Sequence, residues 1–345
     1  MLRAVFAAAS ALFPATAWSH AGGGESANPW TSWPFSFDIL LPVLIVGSLY
    51  IAGLVRRRDR GGGVTAWRHA SFFAGLAALL VALQSPLDVL AEHSFTMHQL
   101  QHLLLRALGP MLLLLAAPQA LLIAGIPGTL RERVLRPLMG SRIVGAVFGF
   151  FAHPVIATLL LLAAPVFWHL PQYHNLSVLD LRVHYVMHVT MLVSGLFFFW
   201  RVLDPRPAPL GAGYGTRIVM SWAAIAGNIP FGAYIAFKSS VLYPAYDVNG
   251  RLWDFAALSD EQLGGFVIWI PGSMMFVVLL LIVIRIWGAR ENQLDALRKR
   301  GIALRSASLS AQSAANRRLA WRLAAIAAVV GAGVAAVAIL QQFLP

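Results

Sequence analysis

The sequence predicts an all-α fold: a polytopic transmembrane helix bundle of about seven core spans plus one C-terminal span. Two observations carry this. Of 345 residues, 59% are hydrophobic and only 12% charged, with a mean hydropathy of +0.71. A soluble domain carries about twice that share of charge. The apolar residues also gather in blocks of about 20, the length a helix needs to cross a bilayer. The formal net charge of +12 would point to nucleic acid in a soluble chain. Here the basic residues sit in short loops between apolar blocks, so they write topology, and no nucleic-acid partner is expected.

Taken in order, residues 1–21 read as a signal peptide. Arg3 is the charged start, Ala4 to Phe13 the apolar stretch, and Ala17 and Ser19 the small residues before cleavage at His20 or Ala21. Residues 22–34 are rich in Gly and Pro and read as a periplasmic linker. The core bundle then occupies 35–290, with spans at about 35–55, 67–84, 98–124, 143–167, 184–203, 217–237 and 263–287. His153-Pro154, Asn228-Ile229-Pro230 and Trp269-Ile270-Pro271-Gly272 interrupt spans four, six and seven, and His153 reads as a mid-helix residue. Residues 291–319 are polar and read as a cytoplasmic loop. Residues 320–345 form an accessory span rich in Ala and Gly, suited to close helix packing.

Orientation follows from counting. With the N-terminus outside, 21 of the 26 Lys and Arg fall in inner loops, clustered at 56–68, 131–142, 201–217 and 285–322. The outer loops hold only Arg182, Lys238 and Arg251. Positive charge stays inside, so both termini are expected in the periplasm of a bacterial inner membrane, with lipid around the bundle.

On this topology seven of the ten histidines gather at the outer ends of the helices: His93, His98, His102, His169, His174, His184 and His188. His98 with His102, and His184 with His188, are spaced by four. Four residues advance a helix by about 400° and about 6 Å, so each pair shares a face. Two such helices side by side offer four imidazoles to one ion. Met97 and Met187 each precede a pair histidine, and Met191 lies a turn inside His188. There is no cysteine, so a metal must be held by His, Met, carboxylate or backbone. Imidazole plus thioether suits copper, and Cu(I) above all. Zinc and iron stay open, and so does a bis-histidine heme. Against this stands the plain alternative of interfacial histidines bonded to water, headgroups or backbone; ionisable groups at membrane depth favour the functional reading. Arg106 continues the face of His98 and His102 inward, with no role assigned.

The run MHQLQHLLLRALGPMLLLLAAP (Met97 to Pro118) resembles the histidine helix of the multi-span CtaG family of cytochrome c oxidase assembly factors. WHLPQYHNL (Trp168 to Leu176), HYVMHVTMLVSGLFFFW (His184 to Trp200) and DEQLGGFVIWIPGSM (Asp260 to Met274) extend the resemblance, in order, across about residues 35–290. It implies a role in maturation of a heme–copper oxidase and marks His98, His102, His169, His184 and His188, with Asp260 and Gln262 as polar positions. The expectation is therefore a copper-binding assembly factor, not an enzyme. Its ligands would be His98, His102, His184 and His188, joined by His169 and His93, with Met97, Met187 and Met191 as exchange ligands. Its partners would be cytochrome c oxidase subunits or periplasmic copper chaperones. A copper transporter or tolerance protein, a heme-binding redox protein and a metal-free scaffold are the alternatives. A transporter would need a polar path across the bilayer, for which only His153 and Asn228 offer themselves.

Overall fold

Among the described residues five helices are long and apolar enough to cross a bilayer, and three pairs of shorter helices, each bent at a short break, bring the number up to eight if each pair counts as one span. The computed structural model describes residues 33–57, 64–206, 208, 210–253, 255–300 and the isolated positions 321 and 325, and every regular element among these is helical. The expected signal peptide, nearly all of the linker, the loop beyond residue 300 and all but two positions of the eighth helix lie outside the described residues. In chain order the helices are α1 (Phe37–Arg57), α2 (Ala66–Leu83), α3 (Pro86–His93), α4 (Phe95–Leu115), α5 (Gln119–Gly125), α6 (Gly128–Gly140) and α7 (Arg142–Phe151). They continue with α8 (Pro154–Trp168), α9 (Pro171–Leu179), α10 (Leu181–Leu203), α11 (Tyr214–Phe237), α12 (Ala245–Asn249) and α13 (Ala257–Lys299).

Three spans differ from the sequence expectation. The third, expected over 98–124, starts at Phe95 and is broken: α4 and α5 meet at 79°. Ala117 adopts φ 50°, a left-handed conformation that ends the helix, and Pro118 follows it. The fourth, expected over 143–167, divides into α7 and α8. His153 is not mid-helix; it is the extended residue ahead of Pro154 (φ −63°, ψ 134°), as the proline ring requires. The seventh is longer than expected. It runs 43 residues, so 291–299 continue the helix instead of opening the polar loop.

Apolar core side chains from α4, α8, α10, α11 and α13 interlock, among them Met111, Leu161, Phe198, Phe199, Met220 and Phe276. The outward faces are also apolar: Leu41, Leu44, Phe150, Ile270 and Leu281 are all exposed. Helices apolar on both inner and outer faces belong in lipid.

Two close approaches set the position of α4. Its residues Leu104–Leu108 form a π turn, with the Gly109 N–H reaching back to the Leu104 carbonyl. Pro110 has no N–H to give the Arg106 carbonyl, and its ring would clash with that oxygen in a regular helix. The freed carbonyl is where α10 packs. A Cβ on Gly195 would lie 2.1 Å from Arg106 O, so only glycine lets the two backbones touch. At the start of α4, a Cβ on Gly264 of α13 would lie 2.2 Å from the Phe95 ring.

Candidate metal centre

α4 and α10 lie side by side with their N-termini at the same end of the bundle. Ser94 caps α4, and the Asp260 carboxylate reaches across from α13 to accept from Ser94 Oγ (2.8 Å), Phe95 N (2.8 Å) and Thr96 N (3.1 Å). A carboxylate on the first N–H groups of a helix satisfies orphan donors and the positive end of the dipole. Asp260 thus sets the height of His98 and His102, and Gln262 donates to the Lys238 carbonyl at 2.9 Å.

Six imidazoles meet beneath this end. His98 stacks on His184 with ring centroids 5.2 Å apart, His102 faces His188 at 5.6 Å, and His169 and His174 close one side at 5.2 Å from each other. His98, His102 and His188 each offer a nitrogen, all within 4.8 Å of one another, and all three rings are buried. His184 is half-buried, the most exposed of the six.

The outer nitrogens are tied down. A backbone carbonyl only accepts, so each bond to one fixes a tautomer. His184 Nδ1 donates to Ser177 O (3.1 Å), and His174 Nδ1 donates to Trp168 O (3.1 Å). His174 Nε2 therefore accepts from the Tyr246 hydroxyl at 2.9 Å, and the same hydroxyl oxygen accepts from His98 Nδ1 at 2.7 Å. His98 Nε2 is left with a lone pair and no partner, and neither nitrogen of His102, one an N–H and one a lone pair, has a partner. His184 Nε2 likewise carries a lone pair, 3.1 Å from His188 Nε2. Two nitrogens that close share either a proton or an ion; tetrahedral ligands at about 2.0 Å from a metal sit about 3.3 Å apart. His169 donates from Nδ1 to Pro165 O at 2.6 Å, and its Nε2 meets the Gln99 amide at 2.8 Å.

The remaining expected site residues fall elsewhere. His93 bonds to the Gly250 carbonyl at 2.7 Å and makes no ring contact with the other histidines among the described residues. Met187 and Met191 are fully buried in an apolar cluster with Leu79, Leu105 and Trp168, and Met191 also borders a small cavity under His102. Met97 is half-buried near the α4 cap. His174, Tyr246 and Gln99 lie outside the ligand set expected from the sequence. His174 lies outside the i,i+4 pairs, and Tyr246 lies 72 residues beyond it, so no local spacing links them. Three imidazole nitrogens within 4.8 Å of one another, with the His98 ring held from behind through Tyr246, are a donor set a transition metal can enter.

A family model described as cytochrome c oxidase caa3 assembly factor matches residues 48–290. Uncharacterized proteins of Mycobacterium bovis and Mycobacterium tuberculosis are each 24% identical over 287 residues, covering 81% of this chain and 43% of theirs. One from Mycobacterium leprae is 24% identical over 293 residues, covering 82% and 44%. The chain thus spans less than half the length of these curated relatives. No solved structure matches it.

Proposed function

The chain belongs to the cytochrome c oxidase caa3 assembly factor family, and on that premise we propose that it binds copper, as Cu(I), at His98, His102 and His188 and passes it on during oxidase assembly. The observation that carries this reading is the set of three buried nitrogens within 4.8 Å of one another, with His98 anchored from behind through Tyr246. Buried imidazoles without thiolates suit a borderline-soft ion, and Met191 beside the site adds a soft thioether. His184, half-buried and touching His188, is the entry ligand. The partner is an oxidase subunit or a periplasmic copper carrier. The histidine end faces the periplasm of the bacterial inner membrane, a placement that rests on the one-sided distribution of Lys and Arg. No catalytic step is assigned.

The test is metal analysis and an absorption spectrum of purified protein after copper loading, with His98→Ala/His188→Ala alongside. The wild type should retain copper without a Soret band, and the double variant should lose it. Equal copper in both would overturn the ligand assignment.

A further inference from the structure

Directly inside the histidines lies a small cavity bordered by Gln99, His102, Arg106, His169, Met191 and Phe231. It has room for about one water-sized particle. Two of its walls make demands that the protein does not meet.

The first is charge. Arg106 is 4% exposed, deep in α4, and a guanidinium stays protonated in proteins. Its polar contacts are neutral: Nη2 donates to Asn228 Oδ1 at 3.0 Å, and Nη1 approaches the Leu161 carbonyl at 3.5 Å. Asn228 is itself locked by donating to Ile268 O (2.7 Å) and Ser273 Oγ (3.1 Å). Among the described residues no carboxylate forms a salt bridge with Arg106. The buried acids Asp260 and Glu261 are paired elsewhere, with Arg251 and Lys238. A buried charge without a counter-charge is costly, more so inside a bilayer.

The second is a donor. A neutral imidazole carries one N–H, yet neither His102 nitrogen has a partner, and the ring is 2% exposed. His98, His169, His174 and His184 all hand theirs to an acceptor. A metal-bound histidine normally does the same.

One species answers both demands. We propose that this cavity binds a single small monovalent anion such as chloride between the Arg106 guanidinium and the His102 N–H, the flexible Met191 side chain in its wall yielding the few tenths of an ångström by which chloride exceeds water. A water molecule would take the N–H but leave the charge. The inference goes beyond copper binding and does not depend on it, since Arg106 and His102 are unsatisfied without a metal. When copper is bound, the anion supplies the acceptor behind His102.

The test uses the full chain purified in detergent, free of added metal, exchanged into sodium gluconate and titrated with sodium chloride at constant ionic strength. Wild-type protein should broaden the chloride-35 resonance saturably, and bromide should reverse it. Arg106→Gln should abolish the effect. Should that variant not fold, Asn228→Asp places a carboxylate against the guanidinium; it gives up the bond to Ile268 O, but Ser273 Oγ can turn to donate and the new ion pair offsets the loss, so it should fold and also lose the chloride response. Absence of bromide-reversible broadening in the wild type overturns the proposal, as does an undiminished response in Asn228→Asp. Neither result bears on copper retention, which is read separately in the histidine variants.

Discussion

The hydroxyl of Tyr246 stands between His98 Nδ1 and His174 Nε2 and satisfies both. Its burial pushes the phenol well above the ordinary range, reinforced by the Asp260 charge, so it stays protonated and able to donate. Tyr246→Phe leaves two buried ring nitrogens unmatched. The expected cost is about 1–3 kcal/mol in stability and 10–100-fold in metal affinity, read by thermal unfolding and by copper competition with a chelator. Unchanged affinity would mean that His98 is not oriented through this bond. A second residue carries a pH dependence. Burial, then the charge of Glu92, raises the Asp88 carboxyl from its ordinary 3.8 to about 7, against the opposing hydrogen bond from Gln101. A raised acid favours its protonated form in the fold, so its share of stability is complete below about 4 and is lost as pH rises through about 7. Unfolding midpoints measured from pH 4 to pH 8 should decline more in the wild type than in Asp88→Asn; parallel profiles would remove Asp88 as the cause.

At the scale of the element, the site depends on how closely α10 and α13 approach α4. The π turn at Leu104–Leu108 and Pro110 expose the Arg106 carbonyl, and Gly195 fills the space beside it. Gly195→Ala puts a methyl against backbone that cannot move aside. It should destabilise by about 1–3 kcal/mol and spread the His98–His184 and His102–His188 pairs, lowering copper retention along with the unfolding midpoint. A variant with wild-type midpoint and copper content would show that this contact is not needed. The same logic explains the glycine at 264, which leaves room for Phe95 and through it for the first turn of α4.

Across the whole molecule, the segment between α11 and α13 folds back over the histidines and is held by buried charge. Glu261 accepts from Lys238 and from the backbone of Leu242 and Tyr243, and Arg251 reaches Asp260. This tethers Tyr243, whose hydroxyl donates to the His169 carbonyl at 2.8 Å, as well as Tyr246. Glu261→Gln strands the Lys238 ammonium in a buried site, which costs about 3–5 kcal/mol when one partner of such a pair is removed. The expected result is a lower unfolding midpoint and faster extraction of copper by a chelator. A variant that releases copper at the wild-type rate would separate the tether from the site.

Much of this was legible in the chain itself. Hydropathy alone requires membrane helices, because only a closed set of backbone hydrogen bonds survives in lipid. The i,i+4 spacing alone puts His98 with His102 and His184 with His188, because helical geometry is local. What only the tertiary structure decided is which of these groups meet. His174 and Tyr246 join the cluster and His93 leaves it to hold Gly250, because contacts over 72 to 157 residues leave no periodic trace. The broken third and fourth spans likewise turn on single residues, Ala117 at positive φ and His153 ahead of Pro154, which average hydropathy does not register. The cavity beneath His102 and the uncompensated Arg106 are properties of packing, and a sequence lists side chains without saying what stands opposite them.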